Sequence, residues 1–274
     1  MNKKIYLKIP KKKILNLIKE KKFIGNKINF KILNYLGIFI IKKAFNDKII
    51  FNYKEKYFEN LRAKKIKKTR YHLTQVKISD TNALTKIIKE NKFKDIVKNF
   101  YKGNVGCDFI RIVKKDLKNS GYLFLHQDTG YQVGGVDRYS LFIALTKCNY
   151  DNGGIIVYPG THKFGYLGDV GEISKSLTKK FPKIQSNLEP GDVLVMHSSI
   201  WHESPENKVL KDRIYLEVHI QNAIEPNTKF LICGKKNLTE WKLAGEKEFI
   251  FSNSRVKKIK KLYKEISLLK NKKK

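Results

Sequence analysis

Cysteine is scarce in this chain: Cys107, Cys148 and Cys233 are the only three, they lie far apart, and none belongs to a CxxC pair. That argues against a disulfide framework and against a thiolate zinc site, and it points to a reducing compartment, with the cytoplasm as the expected location. Long apolar runs are also missing. The longest, ILNYLGIFII from Ile32 to Ile41, is about half of the roughly 20 residues that a spanning helix needs. Near the start, in MNKKIYLKIPKKKILNLIKEKK, lysines interrupt every apolar run before a signal-type hydrophobic segment can form. No transmembrane segment is expected. Arginine is nearly absent as well: Arg62, Arg70, Arg111, Arg138, Arg213 and Arg255 stand against 52 lysines. Specific recognition of bases and phosphates leans on the forked guanidinium, so this lysine excess is a weak nucleic-acid signal.

What the chain has in abundance is positive charge, a formal +33 over 274 residues. Its distribution decides what it means. Residues 1–120 hold 33 Lys/Arg against 9 Asp/Glu, residues 121–223 hold 10 against 11, and residues 224–274 hold 15 against 5. The middle is neutral and the flanks are basic. Lysine rising together with isoleucine and asparagine reads as a compositional bias of the whole chain rather than a dedicated polyanion site. The basic flanks still allow weak association with an acidic surface, and no specific nucleic-acid partner is expected.

Pattern separates the flanks from the middle too. Between Asn82 and Tyr101, Leu84, Ile87, Ile88, Phe93, Ile96, Val97 and Phe100 recur at spacings near 3 and 4, as in one or two amphipathic helices with Asp80 or Thr81 as N-cap. The C-terminal stretch SRVKKIKKLYKEISLLKNKKK carries Val256, Ile259, Leu262, Ile266 and Leu269 in a similar stripe. It reads as a helix packed on the surface, or alternatively lying on an anionic membrane. From Gly106 to Ala223 the pattern changes to short β-type runs cut by Gly, Pro, Asn and Asp, with strands expected in DFIRIVK, YLFLHQD, RYSLFIALT, GIIVYPG, DVLVMHS and RIYLEVHIQNA. Many short strands at such intervals predict a sandwich or barrel, mainly β, with helices at the ends.

The chemistry-bearing residues lie in that middle. In a strand, residues i and i+2 share a face, so His126 and Asp128 of LFLHQDTGY can address one metal while Gln127 turns away. With 6 His and 25 acids in 274 residues, about one His-x-acid is expected by chance in every two such chains, so the pair needs a second histidine. GDVLVMHSSIWHESPEN offers two, His197 and His202. Two histidines and a carboxylate on one face of an octahedron leave the other face open, a geometry that suits non-haem Fe(II) better than structural zinc. Eleven residues after His202, Arg213 opens a run in which Arg213, Tyr215, Glu217 and His219 alternate with Ile214, Leu216, Val218 and Ile220. That is a barrel wall with a wet interior and a packed exterior, and it lets Arg213 fork onto a carboxylate near the metal.

Taken in order and spacing, HQD, NGGIIVYPGTHKFG, PGDVLVMHSSIWHESPEN and DRIYLEVHI resemble the phytanoyl-CoA dioxygenase family of Fe(II)- and 2-oxoglutarate-dependent oxygenases. The resemblance covers about residues 106–223, with a fainter match at NYLGIFIIKKAF. It implies a double-stranded β-helix, a cupin-like jelly roll, with N-terminal helices and a C-terminal helix packed outside. It also implies that His126, Asp128 and His202 hold the iron and that Arg213 binds the distal carboxylate of 2-oxoglutarate. Ser204 and Phe142 fall at positions beside the co-substrate, and Gln127, which also agrees with the family pattern, is counted with them as a co-substrate residue. The family often adds an upstream lysine or polar group, which no position here matches clearly. Related halogenases carry a small residue in place of the aspartate, so Asp128 points to hydroxylation.

On that reading residues 1–274 form one oxygenase domain: 1–105 an N-terminal strand and helical region, 106–223 the jelly-roll core, and 224–274 a basic extension. His197 is expected to be structural, His162 to serve a turn by bonding loop backbone, and Arg138 to pair with Asp137 at the surface. His219 either lines the pocket or is a satisfied buried histidine; His72 has no motif context. KFGYLGDVGEISKSLTKKFPKIQ reads as a loop region, of the kind that selects substrate in the family. The substrate is expected to be a small molecule, with the basic flanks favouring an anionic one. Two rival readings remain open from sequence: a metal- or ligand-binding barrel without catalysis, and a lysine-driven polyanion binder.

Overall fold

The computed structural model describes residues 10–62, 67–68, 74–77, 85–118, 120–131, 135–167, 173–225 and 227–235. The expected C-terminal helix, the Asp80 and Thr81 caps and His72 lie outside the described residues. Four helices, α1 (Lys11–Lys19), α2 (Phe30–Leu36), α3 (Asp47–Arg62) and α4 (Asn91–Val97), accompany thirteen strands. These are β1 (Ile24–Gly25), β2 (Ile38–Ile41), β3 (Lys67–Lys68), β4 (Thr74–Lys77), β5 (Val105–Lys115), β6 (Leu123–His126), β7 (Tyr139–Ala144), β8 (Ile156–Tyr158), β9 (Ile184–Gln185), β10 (Val193–His197), β11 (Trp201–Ser204), β12 (Arg213–Asn222) and β13 (Phe230–Cys233).

The strands form two sheets. The larger runs β1-β2-β10-β7-β12-β5-β4-β3, with β13 also on β5, and the smaller runs β6-β11-β8-β9. All pairings are antiparallel except β1 with β2. The alternation read in β12 is the organising feature. Ile214, Leu216, Val218 and Ile220 are buried in one cluster with Leu33, Tyr53, Tyr57, Phe93 and Val97 from the helices, each contributing about 1.5–3 kcal/mol relative to exposure. On the opposite face Tyr215 joins Phe142, Ala144, Leu194 and Met196 in a second cluster between the sheets. One face of the large sheet is thus roofed by helices and the other looks into the barrel.

The large sheet draws on more than residues 106–223. Strand β2 pairs with β10 over Ile38–Ile41. It follows α2, which Asn29 caps by accepting from Ile32 N and which Gly37 ends at φ +75°. Gly37 must be glycine for a second reason: a Cβ there would lie 2.4 Å from Nδ1 of His162. The helical stretch expected before Tyr101 is broken among the described residues into a 3₁₀ turn (Lys86–Lys89), α4 and a second 3₁₀ turn (Phe100–Gly103), because Glu90 is extended at ψ 129° and Tyr101 and Lys102 have positive φ. Ile87, Ile88, Phe93, Val97 and Phe100 are nonetheless the buried side chains.

Candidate metal centre

Strand β6 stops at His126, and Asp128 begins a 3₁₀ turn, Asp128–Tyr131. The expectation of one strand through YLFLHQD is therefore corrected: the turn, not strand alternation, brings the carboxylate to the histidine. The second histidine arrives through pairing of β6 with β11, in which His202 stands directly across from His126, the two rings 4.1 Å apart between centroids. Asp128 Oδ1 lies 3.6 Å from His126 Nε2 and 3.5 Å from His202 Nε2. All three residues are buried, and their ligand atoms lie within 4.8 Å of one another, close enough to share a metal ion. His197 ends β10 and is not in this group; its Nδ1 accepts from Ser199 N at 3.0 Å.

The surroundings orient these groups. Nδ1 of His126 is 2.8 Å from Phe124 O and Nδ1 of His202 is 3.0 Å from Ile200 O. A carbonyl only accepts, so each Nδ1 is the protonated nitrogen, and Nε2 presents its lone pair to the cluster. Ser140 donates to Asp128 Oδ2 at 2.9 Å. Burial works against ionising Asp128, but His202, His126 and His219 outweigh it and hold the carboxyl well below the usual range. Burial likewise opposes protonation of His202, and Asp128 more than offsets it, raising its pKa; burial followed by the neighbouring His202 lowers that of His126.

A second group, Asp128, Glu217 and His219, also has ligand atoms within 4.8 Å. Glu217 is already committed. Arg111 donates to both of its oxygens, Nε at 2.6 Å and a terminal nitrogen at 3.0 Å, and His219 Nε2 bonds it as well. With Phe109, whose ring lies tilted against that of His219 at 5.1 Å, these residues form the barrel wall beside Asp128. His219 thus lies in the interior, held by a carboxylate.

Arg213 is 2% exposed. One guanidinium nitrogen donates to Gly153 O at 2.8 Å and to Ser204 Oγ at 2.9 Å, while Nε is buried without a hydrogen-bond partner. Opposite it in the ladder stands Lys115, which is fully buried and donates to Ser204 Oγ at 2.8 Å and Pro205 O at 2.6 Å. Neither side chain has a carboxylate in ion-pair range among the described residues. Lysine 115 is the residue that sequence reading missed; in a chain with 52 lysines only its place opposite Arg213 distinguishes it. Phe142 packs edge-on against Tyr215 at 5.6 Å on the same interior face.

Two expectations change. Gln127 does not reach the Arg213 end: its amide donates to Gly165 O and Ser199 O, both at 2.6 Å, and accepts from Leu167 N at 2.9 Å, tying loops to the turn that carries Asp128. Arg138 is not a surface residue paired to Asp137. It is 1% exposed and bonds Asp108 at 3.2 Å and Asn227 at 3.1 Å from its place just ahead of β7. His162 bonds Asn34 O at 3.0 Å from a 3₁₀ turn.

Lysine 115 has a measurable consequence. Burial first, and Arg213 second, push its pKa down to about 6. The unfolded chain keeps that proton up to about pH 10.4, so from about pH 6 upward the unfolded state binds more protons and stability rises with pH. The penalty is complete below about 6 and gone above the ordinary lysine range. Lys115→Met removes the titration: the urea midpoint should climb between pH 6 and 9 in the natural protein and climb less in the variant. Parallel slopes would show that Lys115 is not held this way.

Two facing antiparallel sheets, roofed by helices on one side and carrying a buried two-histidine, one-carboxylate cluster within, define the jelly-roll class of non-haem iron, 2-oxoglutarate-dependent enzymes. The sequence profile of the phytanoyl-CoA dioxygenase (PhyH) family matches residues 46–215, more than half the chain, and the protein belongs to that family. Solved structures share the fold at low identity. SnoN, a non-heme alpha-ketoglutarate-dependent epimerase from nogalamycin biosynthesis, aligns with a TM-score of 0.65 and 13% identity over 71% of this chain and 80% of its own. SnoK, a carbocyclase from the same biosynthesis, gives 0.63 and 16% over 72% and 83%. HygX from Streptomyces hygroscopicus, solved with nickel and 2-oxoglutarate, gives 0.56 and 12% over 70% and 85%. Among the described residues no helix is long and apolar enough to cross a membrane.

Proposed function

We propose that this protein is an Fe(II)/2-oxoglutarate-dependent dioxygenase that hydroxylates a small molecule, converting 2-oxoglutarate and O2 to succinate and CO2 as a substrate C–H becomes C–OH. His126, Asp128 and His202 hold the iron, and residues 1–274 act as one oxygenase domain. The observation that carries this reading is the register pairing of His202 with His126, with Asp128 Oδ1 3.5–3.6 Å from both Nε2 atoms. Nitrogen and carboxylate donors on one side suit a first-row metal with open positions. Iron with its co-substrate supplies the oxidising power; the chain supplies placement.

Two buried basic side chains support the co-substrate assignment. Arg213 and Lys115, without a carboxylate of their own, receive the far carboxylate of 2-oxoglutarate, whose negative charge returns to Lys115 the proton that burial and Arg213 disfavour, and the Ser204 hydroxyl, bonded to both, fixes their spacing. Arg111 cannot serve, since Glu217 already neutralises it. The wall of Phe109, Arg111, Glu217 and His219 faces the substrate beside Asp128. An aspartate at position 128 supports hydroxylation over halogenation, and Gln127 holds the turn that aims it.

The test is aerobic incubation of the purified protein with ferrous iron and 2-oxoglutarate, measuring succinate with and without a metabolite extract. Substrate-stimulated succinate is the expected result, with a product heavier by one oxygen. Absence of any 2-oxoglutarate turnover would favour a barrel that binds without catalysing.

A further inference from the structure

We propose that the outer face of the four-stranded sheet carries a second binding site, separate from the metal centre, for a nucleoside phosphate. Strand β11 turns His202 and Ser204 inward and Glu203 outward, into a cleft of about 550 Å³, a volume suited to a small ligand. The cleft therefore lies across the sheet from the metal cluster. Its floor is built rather than open. Glu203 is 4% exposed and accepts from the hydroxyls of Tyr122 and Tyr158, with Lys175 at 3.3 Å. That carboxylate is neutralised, and the Tyr122 ring is fixed as a wall.

Cations line the rest. Lys179 and Lys183 reach in from the stretch after β8, and Lys208 from the loop after β11. None of the three has an ion-pair partner among the described residues. The lysine bias of the chain does not account for them. Residues 121–223 are the neutral part, with only eight lysines, and half of those, Lys175, Lys179, Lys183 and Lys208, line this one cleft, against the carboxylates Glu203 and Glu206. Lysine ammonium groups bind phosphate as movable point charges. Tyr122 and Tyr150, 39% and 43% exposed, line the same cleft; Lys175 covers the Tyr122 ring 4.5 Å from its centroid, which leaves Tyr150 as the ring for a base to stack on. Phosphate charge together with a stacking ring is the chemistry of a nucleotide.

The test is calorimetric titration of the full chain with ADP at 0.15 M salt, roughly the physiological ionic strength, beside pyrophosphate and adenosine. Saturable 1:1 ADP binding is expected, tighter than either fragment. Lys183→Glu with Lys208→Glu should weaken it at least about tenfold, or about 1.4 kcal/mol. The control, Lys27→Glu with Lys31→Glu, makes the same charge change at exposed sites elsewhere and should leave affinity within about twofold. Equal loss in both variants would reduce the effect to the general positive field and overturn the site, as would no ADP binding. Pyrophosphate binding as tightly as ADP would overturn the nucleoside assignment. His202→Ala should bind ADP normally, so this result stands or falls apart from the oxygenase reading.

Discussion

Replacing His202 with alanine should abolish the proposed iron-dependent succinate formation, by at least roughly a thousandfold, which is about 4 kcal/mol of barrier. The size follows from position. As a ligand, His202 offers its Nε2 from a strand that is hydrogen-bonded to the strand of His126, and the nearest other donors, Glu217 and His219, are already committed to Arg111 and to each other. The same substitution should weaken iron binding in equilibrium dialysis while the far-UV circular dichroism stays native, because the imidazole is not part of either hydrophobic cluster. His197→Ala, at the end of β10, should leave iron binding intact. Full succinate formation by the His202 variant would refute the ligand assignment, and loss only in the His197 variant would transfer the role to that residue.

Arg213→Gln should raise the 2-oxoglutarate concentration for half-maximal rate about 30- to 100-fold, since removing one partner of a buried charge-assisted pair costs roughly 2–3 kcal/mol. Glutamine keeps a donor toward Gly153 and Ser204 and loses the charge and the fork. Arg213→Lys restores charge alone and should recover only part of the affinity. Lys115 remains in both variants, so binding weakens rather than disappears. A half-saturation concentration unchanged in Arg213→Gln would mean that the dicarboxylate is held elsewhere in the barrel.

The sequence disclosed those parts of the fold and site that depend on local period. The β12 alternation was legible because inward and outward residues differ in kind, and the order of HQD, the second histidine and the arginine was legible because motif spacing survives without coordinates. Pairing across strands was not. Nothing local says that His126 and His202 are opposed, and the turn at Asp128 looks like more strand because its glycine, Gly130, comes only after the carboxylate, two residues into the turn. Arg138 was misjudged for a related reason: an arginine beside an aspartate looks solvated, whereas its partners, Asp108 and Asn227, come from β5 and from just before β13. Lys115 was hidden by the crowd of other lysines. Burial is a property of the assembled sheet, and a lysine carries no mark of it.

Strand β2 sets a boundary for anyone preparing fragments. The stretch that matches the family begins at residue 46 and stops at 215, yet Ile38–Ile41 zips along the flank of β10 and β12 runs on to Asn222. A recombinant piece trimmed to the matched span would leave Val193–Met196 with a naked, aliphatic margin ready to stick to its neighbours, and would sever the wall before Glu217 and His219. A useful fragment has to begin ahead of the α2 cap at Asn29 and reach past β13.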